Sequence, residues 1–441
     1  MAAAPPSTNL PSEAQAKTHP SLKGKSLRTA WGLTGMLVVL YILNASDKAV
    51  FGLIAQPLRE ELHLSSSQIG LTGSAFFLAY AVGGFFAGPL NRMMSLRWAI
   101  AILAITWGAV MLPLVVWASF AVLLLSRLLL GFSEGPTSAL LHTAAYSWHP
   151  PARRGLPGAL ITSGATIAKI AVVPAMAVIL AMYGWRATIV VLAAMTVVWC
   201  VPWLATWRPG PYLSTGKHTS SAGGTSDVDT VPWRRILTTR TFVVSGCVAA
   251  SAYILITVVL TWLPSYFETG LGYSRLESGT LFAIPSVVGL VTLVGGSLLS
   301  DRAVARGVSI RLVRVILPCA GVMVSGVLLM SLPWLGSPAL AVAAVSLAYG
   351  LVIAIFPLIN TAVVETCPPA QIAGTLGAFL AIQSLGGVVG PWATGLLLDA
   401  SATKVDGYTT AFQLIGLISA ICAAAAIIAV DPIRDRVSPS R

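Results

Sequence analysis

Charge is scarce in this 441-residue chain: Asp, Glu, Lys and Arg make up 10% of it, against roughly 25% in soluble globular domains. Residues 315–364, 366–398 and 407–430 contain none of the four. A helix crosses a bilayer with about 20 apolar residues, so stretches of this length exclude a soluble domain and require several spanning helices. They are also unbroken. A strand of a membrane barrel alternates apolar with polar residues over short segments, which excludes a barrel. Acid is scarcest, 15 residues against 27 Lys and Arg, for a net charge of +12. The basic residues fall in short clusters between apolar runs rather than on one domain, which argues against a nucleic-acid surface and for a lipid bilayer as the partner.

Cysteine is little used. Cys200, Cys247, Cys319, Cys367 and Cys422 lie in or beside apolar runs without paired spacing, so neither a disulfide framework nor a metal site is expected. No His-Glu-x-x-His helix or nucleophile-base set occurs, which leaves an integral membrane enzyme without visible chemistry and implies no cofactor. His142 reads as a packed histidine, His63 and His149 as loop residues, and His19 and His218 as tail and linker residues. Residues 1–26 are rich in Ala, Pro and Ser with no cleavage-site pattern, so the first span is expected to remain in the protein.

Apolar length and Pro, Gly or charged punctuation place spans near 28–54, 69–90, 98–117, 120–146, 156–183 and 187–207, then near 241–267, 278–299, 312–332, 339–364, 372–398 and 408–430. The expected fold is all-α: twelve transmembrane helices in two six-helix bundles, 28–207 and 241–430. A tail, 1–27, precedes them, a polar Ser, Thr and Gly-rich linker, 208–240, joins them, and a tail, 431–441, follows. With both termini cytoplasmic, twenty of the 27 Lys and Arg face the cytoplasm, and Arg59, Arg186, Arg275 and Lys404 face outward. This is the positive-inside pattern of a cell (inner) membrane protein. The remaining three, Lys48, Arg127 and Lys169, are intramembrane cations.

Ionisable groups at bilayer depth are costly and mark ion or substrate paths. Asp47 and Lys48 adjoin in the first span. Arg127 and Glu134 lie seven apart on the fourth, on nearly one face about 10 Å from each other. Lys169 is mid-span in the fifth. Asp47 and Glu134 are the only carboxylates deep in the predicted spans. Two readings stand for this set: a proton- and anion-handling site, or a static buried ion network that locks the helices. Lys169 reads as a second anion-binding group or as a cation paired only with Glu134. Gln383 and Ser384 are polar in the apolar eleventh span and could meet substrate hydroxyls or neighbouring helices. Glu365, at the inner end of the tenth, reads as a gate partner.

The loop Gly88-Pro-Leu-Asn91-Arg92 after the second span and Gly296-Ser-Leu-Leu-Ser-Asp301-Arg302 after the eighth occupy equivalent places in the two halves, as in a transporter of two related bundles with its substrate at the midplane. Here the chain resembles the major facilitator superfamily, whose loop signature is close to Gly-x-Leu-x-Asp-Arg. The second copy keeps Asp301 and Arg302, while Asn91 replaces the acid in the first. More narrowly it resembles the anion:cation symporters, the sugar-acid, phthalate and sialin-like carriers. The likeness rests on Asn44-Ala45-Ser46-Asp47-Lys48, Arg127-Leu-Leu-Leu-Gly131-Phe-Ser-Glu134, Trp148-His-Pro150-Pro-Ala-Arg153-Arg154-Gly155, Gly184-Trp185-Arg186, Trp262-Leu-Pro264-Ser-Tyr266 and Gly386-Gly387-Val-Val-Gly390-Pro391. Ala45 and Lys48 stand where that family has Tyr and Arg.

The resemblance implies a secondary carrier that imports a small organic anion (an aromatic acid, sugar acid or dicarboxylate) with protons by alternating access, working as a monomer. It implies Asp47 and Glu134 as proton-coupling acids, and Lys48, Lys169, Arg127, Tyr80, Gln383 and Ser384 as substrate-binding residues. It implies Asn91, Arg92, Asp301, Arg302 and Glu365 as gating residues. The alternatives are an efflux antiporter of the same superfamily, against which the fifth span lacks a Gly-Pro-x-x-Gly-Gly run, and a non-transporting membrane sensor, against which the chain lacks a sizeable soluble domain.

Overall fold

The computed structural model of the protein describes residues 24–150, 155–212, 231–368 and 371–437. Among them, ten helices are long and apolar enough to cross a membrane, or eleven when Ser66–Gly84 and Ala87–Met93, bent by 51°, count as one span. One of the ten, Leu156–Thr206, has 51 residues. At about 1.5 Å per residue it exceeds twice the ~30 Å hydrocarbon core. Gly184 breaks it with φ 78°, a backbone conformation that strains any residue with a Cβ. The segment is two spans, which completes twelve.

In chain order these are α1 (Gly24–Glu61), α2 (Ser66–Gly84, extended by Ala87–Met93), α3 (Leu96–Val110), α4 (Phe120–Glu134, extended by Thr137–Tyr146), α5 (155–183) and α6 (185–206). The second six are α7 (Arg240–Ser265), α8 (Arg275–Leu281 and Ala283–Ala305), α9 (Leu317–Met330), α10 (Pro338–Ile353 and Ile355–Val364), α11 (Ile372–Ala400) and α12 (Lys404–Ala429). Helices apolar on every face carry no amphipathic stripe to mark their limits, so local capping sets their starts. Ser65 caps α2 in a capping box with Gln68, and Ser274 caps α8 in one with Glu277. Ser119, Thr239 and Thr403 cap α4, α7 and α12.

The first span is longer than expected. It runs on from 54 through Pro57 to Glu61, because packed neighbours in a membrane bundle re-satisfy the backbone groups a proline frees. The described ends of the linker are held by hydrogen bonds. Tyr212 donates its backbone N–H to Ser147 (2.9 Å), and Val231 exchanges two 2.8 Å hydrogen bonds with the Gln371 amide. Residues 213–230, like 1–23, the Arg153-Arg154 pair and 438–441, lie outside the described residues.

Small residues let the helices approach closely, as lipid-embedded interfaces require. Gly131 of α4 lies on the Phe76 carbonyl of α2, and Gly83 of α2 on the Phe132 backbone. Between the bundles, Gly70 of α2 rests on Pro391 of α11, Gly52 of α1 on Leu260 of α7, and Gly279 of α8 on Ala177 of α5. Polar ties gather at one end. Asp399 of α11 accepts the Ser66 and Ser67 N–H groups of α2 (2.8 and 2.7 Å), and Arg275 of α8 reaches Glu60 of α1 (3.2 Å). Beside them Arg186 pairs with Glu61 (2.5 Å), Arg275 with Glu268 (2.8 Å) and Lys404 with Asp399 (3.9 Å). Arg59 donates to Ser66 (3.3 Å), so the four cations expected outside share this end.

Candidate functional site

Successive residues on a helix project about 100° apart, and the first span uses that step to send two charges different ways. Lys48 turns toward α4 and ion-pairs with Glu134, whose side chain is fully buried. Four residues earlier on the same face, Asn44 accepts from the Lys48 ammonium through its side-chain oxygen (2.8 Å) and its carbonyl (3.3 Å). The ammonium also lies 5.0 Å from the Tyr80 ring centre and 5.8 Å from that of Phe76, both on α2. Asp47 points instead into the first bundle, where it lines a cavity with Arg127.

Arg127 is 2% exposed. Its guanidinium is held between the rings of Phe51, at 4.0 Å, and Phe76, at 4.2 Å. Aromatic faces stabilise a desolvated cation, so α1 and α2 supply what water would supply at a surface. The remaining Glu134 oxygen, Oε1, is buried without a hydrogen-bond partner.

Lys169 sits in a π-helical turn, Ala168–Val172, within α5. Such turns add a residue to the helix and occur often at functional sites. Its ammonium donates to the Tyr349 hydroxyl of α10 (2.8 Å), spanning from one bundle to the other. Glu134 is therefore not its partner, and among the described residues no carboxylate lies within 4.0 Å of it. The structure thus brings Asp47, Lys48, Arg127, Glu134 and Tyr80 together and sets Lys169 across the inter-bundle contact.

The other expected site residues fare differently. Gln383 has a buried, unpartnered Oε1. Ser384 donates to Leu380 of its own helix (2.8 Å), which is a local bond rather than one between helices. The two signature stretches are helical rather than loops: Asn91 and Arg92 are exposed on Ala87–Met93, and Asp301 and Arg302 are in the last turns of α8. The side chain of Asp301 is outside the described residues; Arg302 lines a 690 Å³ cavity with residues of α8, α9 and α10, away from the charged cluster. Glu365 pairs with Arg314 and so ties two segments of one bundle. Trp262, 1% exposed, donates to the Pro391 carbonyl and is a core residue.

His149 lies in the bend after α4, as expected of a loop residue, and is buried there. It is 3% exposed, its Nε2 meets the Thr34 hydroxyl at 2.9 Å, and burial holds its pKa below the ordinary histidine value. His142 is packed as expected, with Nδ1 on the Ser138 carbonyl (2.7 Å). Sequence reasoning did not find Tyr349, Phe51 or Trp107. The available signal was a polar or aromatic group inside an apolar run, which packing residues share.

A sequence model of the Major Facilitator Superfamily matches residues 37–391. A hexuronate transporter of Bacillus subtilis is 24% identical over 89% of this chain and 92% of its own length. A probable sulfoacetate transporter of Cupriavidus necator is 26% identical over 91% and 94%. Among solved structures, an inward-facing, occupied bacterial homolog of the human lysosomal transporter Spinster superposes with a TM-score of 0.80 at 19% identity, over 95% of this chain and all of its own. A D-xylose-proton symporter gives 0.75 at 16% identity, over 92% and 99%. With the match spanning most of the chain and a twelve-helix, two-bundle fold beneath it, the protein belongs to the major facilitator superfamily of membrane transporters.

Proposed function

We propose that the protein imports a small organic anion together with protons by alternating access. We place it in the cell (inner) membrane as a monomer, with both termini in the cytoplasm. The observation that carries this reading is the charge balance of the site. Three cations, Lys48, Arg127 and Lys169, stand against two carboxylates, Asp47 and Glu134, and among the described residues Lys169 has the Tyr349 phenol rather than a carboxylate for a partner. The formal surplus is one positive charge, and at bilayer depth an unbalanced cation favours an anionic ligand. The relatives named as a hexuronate transporter and a probable sulfoacetate transporter support the same class.

Coupling follows from competition for Lys48. While Glu134 is ionised it holds the Lys48 ammonium. Protonation of Glu134 ends that pairing and frees Lys48 for the carboxylate or sulfonate of a substrate, with Lys169 as the second contact. Departure of the anion returns Lys48 to Glu134 and expels the proton. Each ligand thereby favours the binding of the other, and the favour is reciprocal. Gln383 offers an acceptor for a substrate hydroxyl, and Tyr80 one wall of the site. In this reading the ties at the Asp399 end close the outer face of the carrier.

The test is uptake into proteoliposomes of hexuronate, sulfoacetate and glucarate, each with and without an inwardly directed pH gradient. The gradient should accelerate accumulation of at least one of them. Asp47→Asn and Glu134→Gln should abolish the acceleration, and acceleration that survives both changes would contradict the assignment.

A further inference from the structure

Asp47, Arg127, Trp107 and Thr196 line a cavity of about 30 Å³ inside the first bundle, between α1, α3, α4 and α6. A water needs roughly 10–15 Å³ of such space and two to four polar partners. The volume fits one or two waters and nothing larger.

The polar groups around the cavity are unusually complementary to that guest. Trp107 is 2% exposed and its indole Nε1 is buried without a partner. Arg127 is equally buried, and its Nε is also unpartnered. These are two orphan N–H donors, and buried donors in native proteins almost always have partners, ordered water included. The acceptors are present as well. Asp47 contributes a carboxylate, and the Thr196 hydroxyl, which spends its hydrogen on the Leu192 carbonyl (3.0 Å), keeps its lone pairs free to accept. Two donors and two acceptors match the four hydrogen bonds of a single water molecule.

We infer that this cavity is a built water site, in which Trp107 and Arg127 hold an ordered water against the Asp47 carboxylate. The inference rests on the proposed coupling role of Asp47 and extends it. Trp107 is a positioning residue: it acts on Asp47 through the water and touches neither substrate nor proton. The charged groups around Asp47 are Lys48 on its own helix and Arg127 and Glu134 from α4; Tyr80 of α2 faces Lys48. Within the cavity, α3 and α6 contribute no charge. A water there lets those two helices solvate the carboxylate through Trp107 and Thr196.

Two measurements decide it. An experimental density map fine enough to show waters should place one within hydrogen-bond distance of Trp107 Nε1 and Arg127 Nε; a dry cavity overturns the inference. Trp107→Phe keeps an aromatic side chain but deletes the N–H together with the pyrrole half of the indole. With hexuronate or sulfoacetate as the probe, it should lower gradient-driven accumulation about fivefold, the order of one net hydrogen bond, and counterflow exchange less than twofold. Thr196→Val should act in the same direction. If both variants leave the two readouts unchanged, or lower them equally as a packing defect would, the water does not serve Asp47. Asp47→Asn separates the two claims. Should it retain full gradient-driven accumulation, the coupling role of Asp47 falls, and the water site stands or falls on the map. If it uncouples and the other variants do not, only the water inference fails.

Discussion

Lys169 and Lys48 are both lysines at bilayer depth, yet their surroundings give them different work. Lys48 is neutralised by Glu134 and by the Asn44 oxygens. Lys169 has a phenol at 2.8 Å and no carboxylate within 4.0 Å among the described residues. The less compensated cation gains more from an arriving anion, so Lys169 should carry more of the affinity. Lys169→Ala is expected to weaken binding of a transported acid on the order of tenfold or more, the scale of one charge-assisted hydrogen bond. Tyr349→Phe, which leaves the charge in place, should change it less than threefold. Binding by thermal stabilisation of the purified protein measures both, and equal effects would assign Lys169 to the inter-bundle contact alone. The legible part of the site was its charge. Asp47, Lys48, Arg127, Glu134 and Lys169 stand out because no other Asp, Glu, Lys or Arg lies deep in those spans. The partners of those charges were hidden: Phe51, Phe76 and Tyr349 resemble any packed aromatic until the helices are set side by side.

At the scale of the helix, apolar length gave the spans and the capping residues gave their starts, while the breaks depended on single residues. Gly184 separates α5 from α6 at the place its Gly-Trp-Arg sequence suggested, and its φ of 78° is the physical reason. Pro57 had the opposite outcome. It resembles a terminator in the sequence and lies inside a 38-residue helix. The π-helical turn at Lys169 had no advance signal, because the extra residue in that turn is fixed by what α5 packs against. The α2–α4 contact decides whether Arg127 and Glu134 face Lys48, and it depends on glycine. Any Cβ at Gly131 meets the Phe76 carbonyl. Gly131→Val should therefore force the pair apart at a cost of about 1–3 kcal/mol, seen as a lowered thermal unfolding midpoint. An unchanged midpoint would show that the two helices have room to shift.

The whole molecule is held asymmetrically. Asp399 accepts two backbone N–H groups at the start of α2, where a helix also favours negative charge, and Arg275 bridges to Glu60 nearby. Both ties cross between the bundles, and both break if that end opens. Asp399→Asn should move the population toward the open form on the order of tenfold. Spin labels at positions 63 and 402, on either side of the closure, would show a longer distance becoming populated; an unaltered distance distribution would mean that Asp399 only caps a helix. The two-bundle division was legible from composition, because spans and linker differ so sharply. Which end is closed was not, since that is set by contacts between α2 and α11 far apart in the chain.

If Lys48, Glu134 and Asp47 couple the two ligands, anion and proton move together. The most direct measurement records the pH outside proteoliposomes with a dye while hexuronate or sulfoacetate is added without any imposed gradient. Symport should produce alkalinisation that starts with the acid's entry, scales with it, and disappears in Asp47→Asn and Glu134→Gln. Entry of the acid with no change in external pH would contradict it.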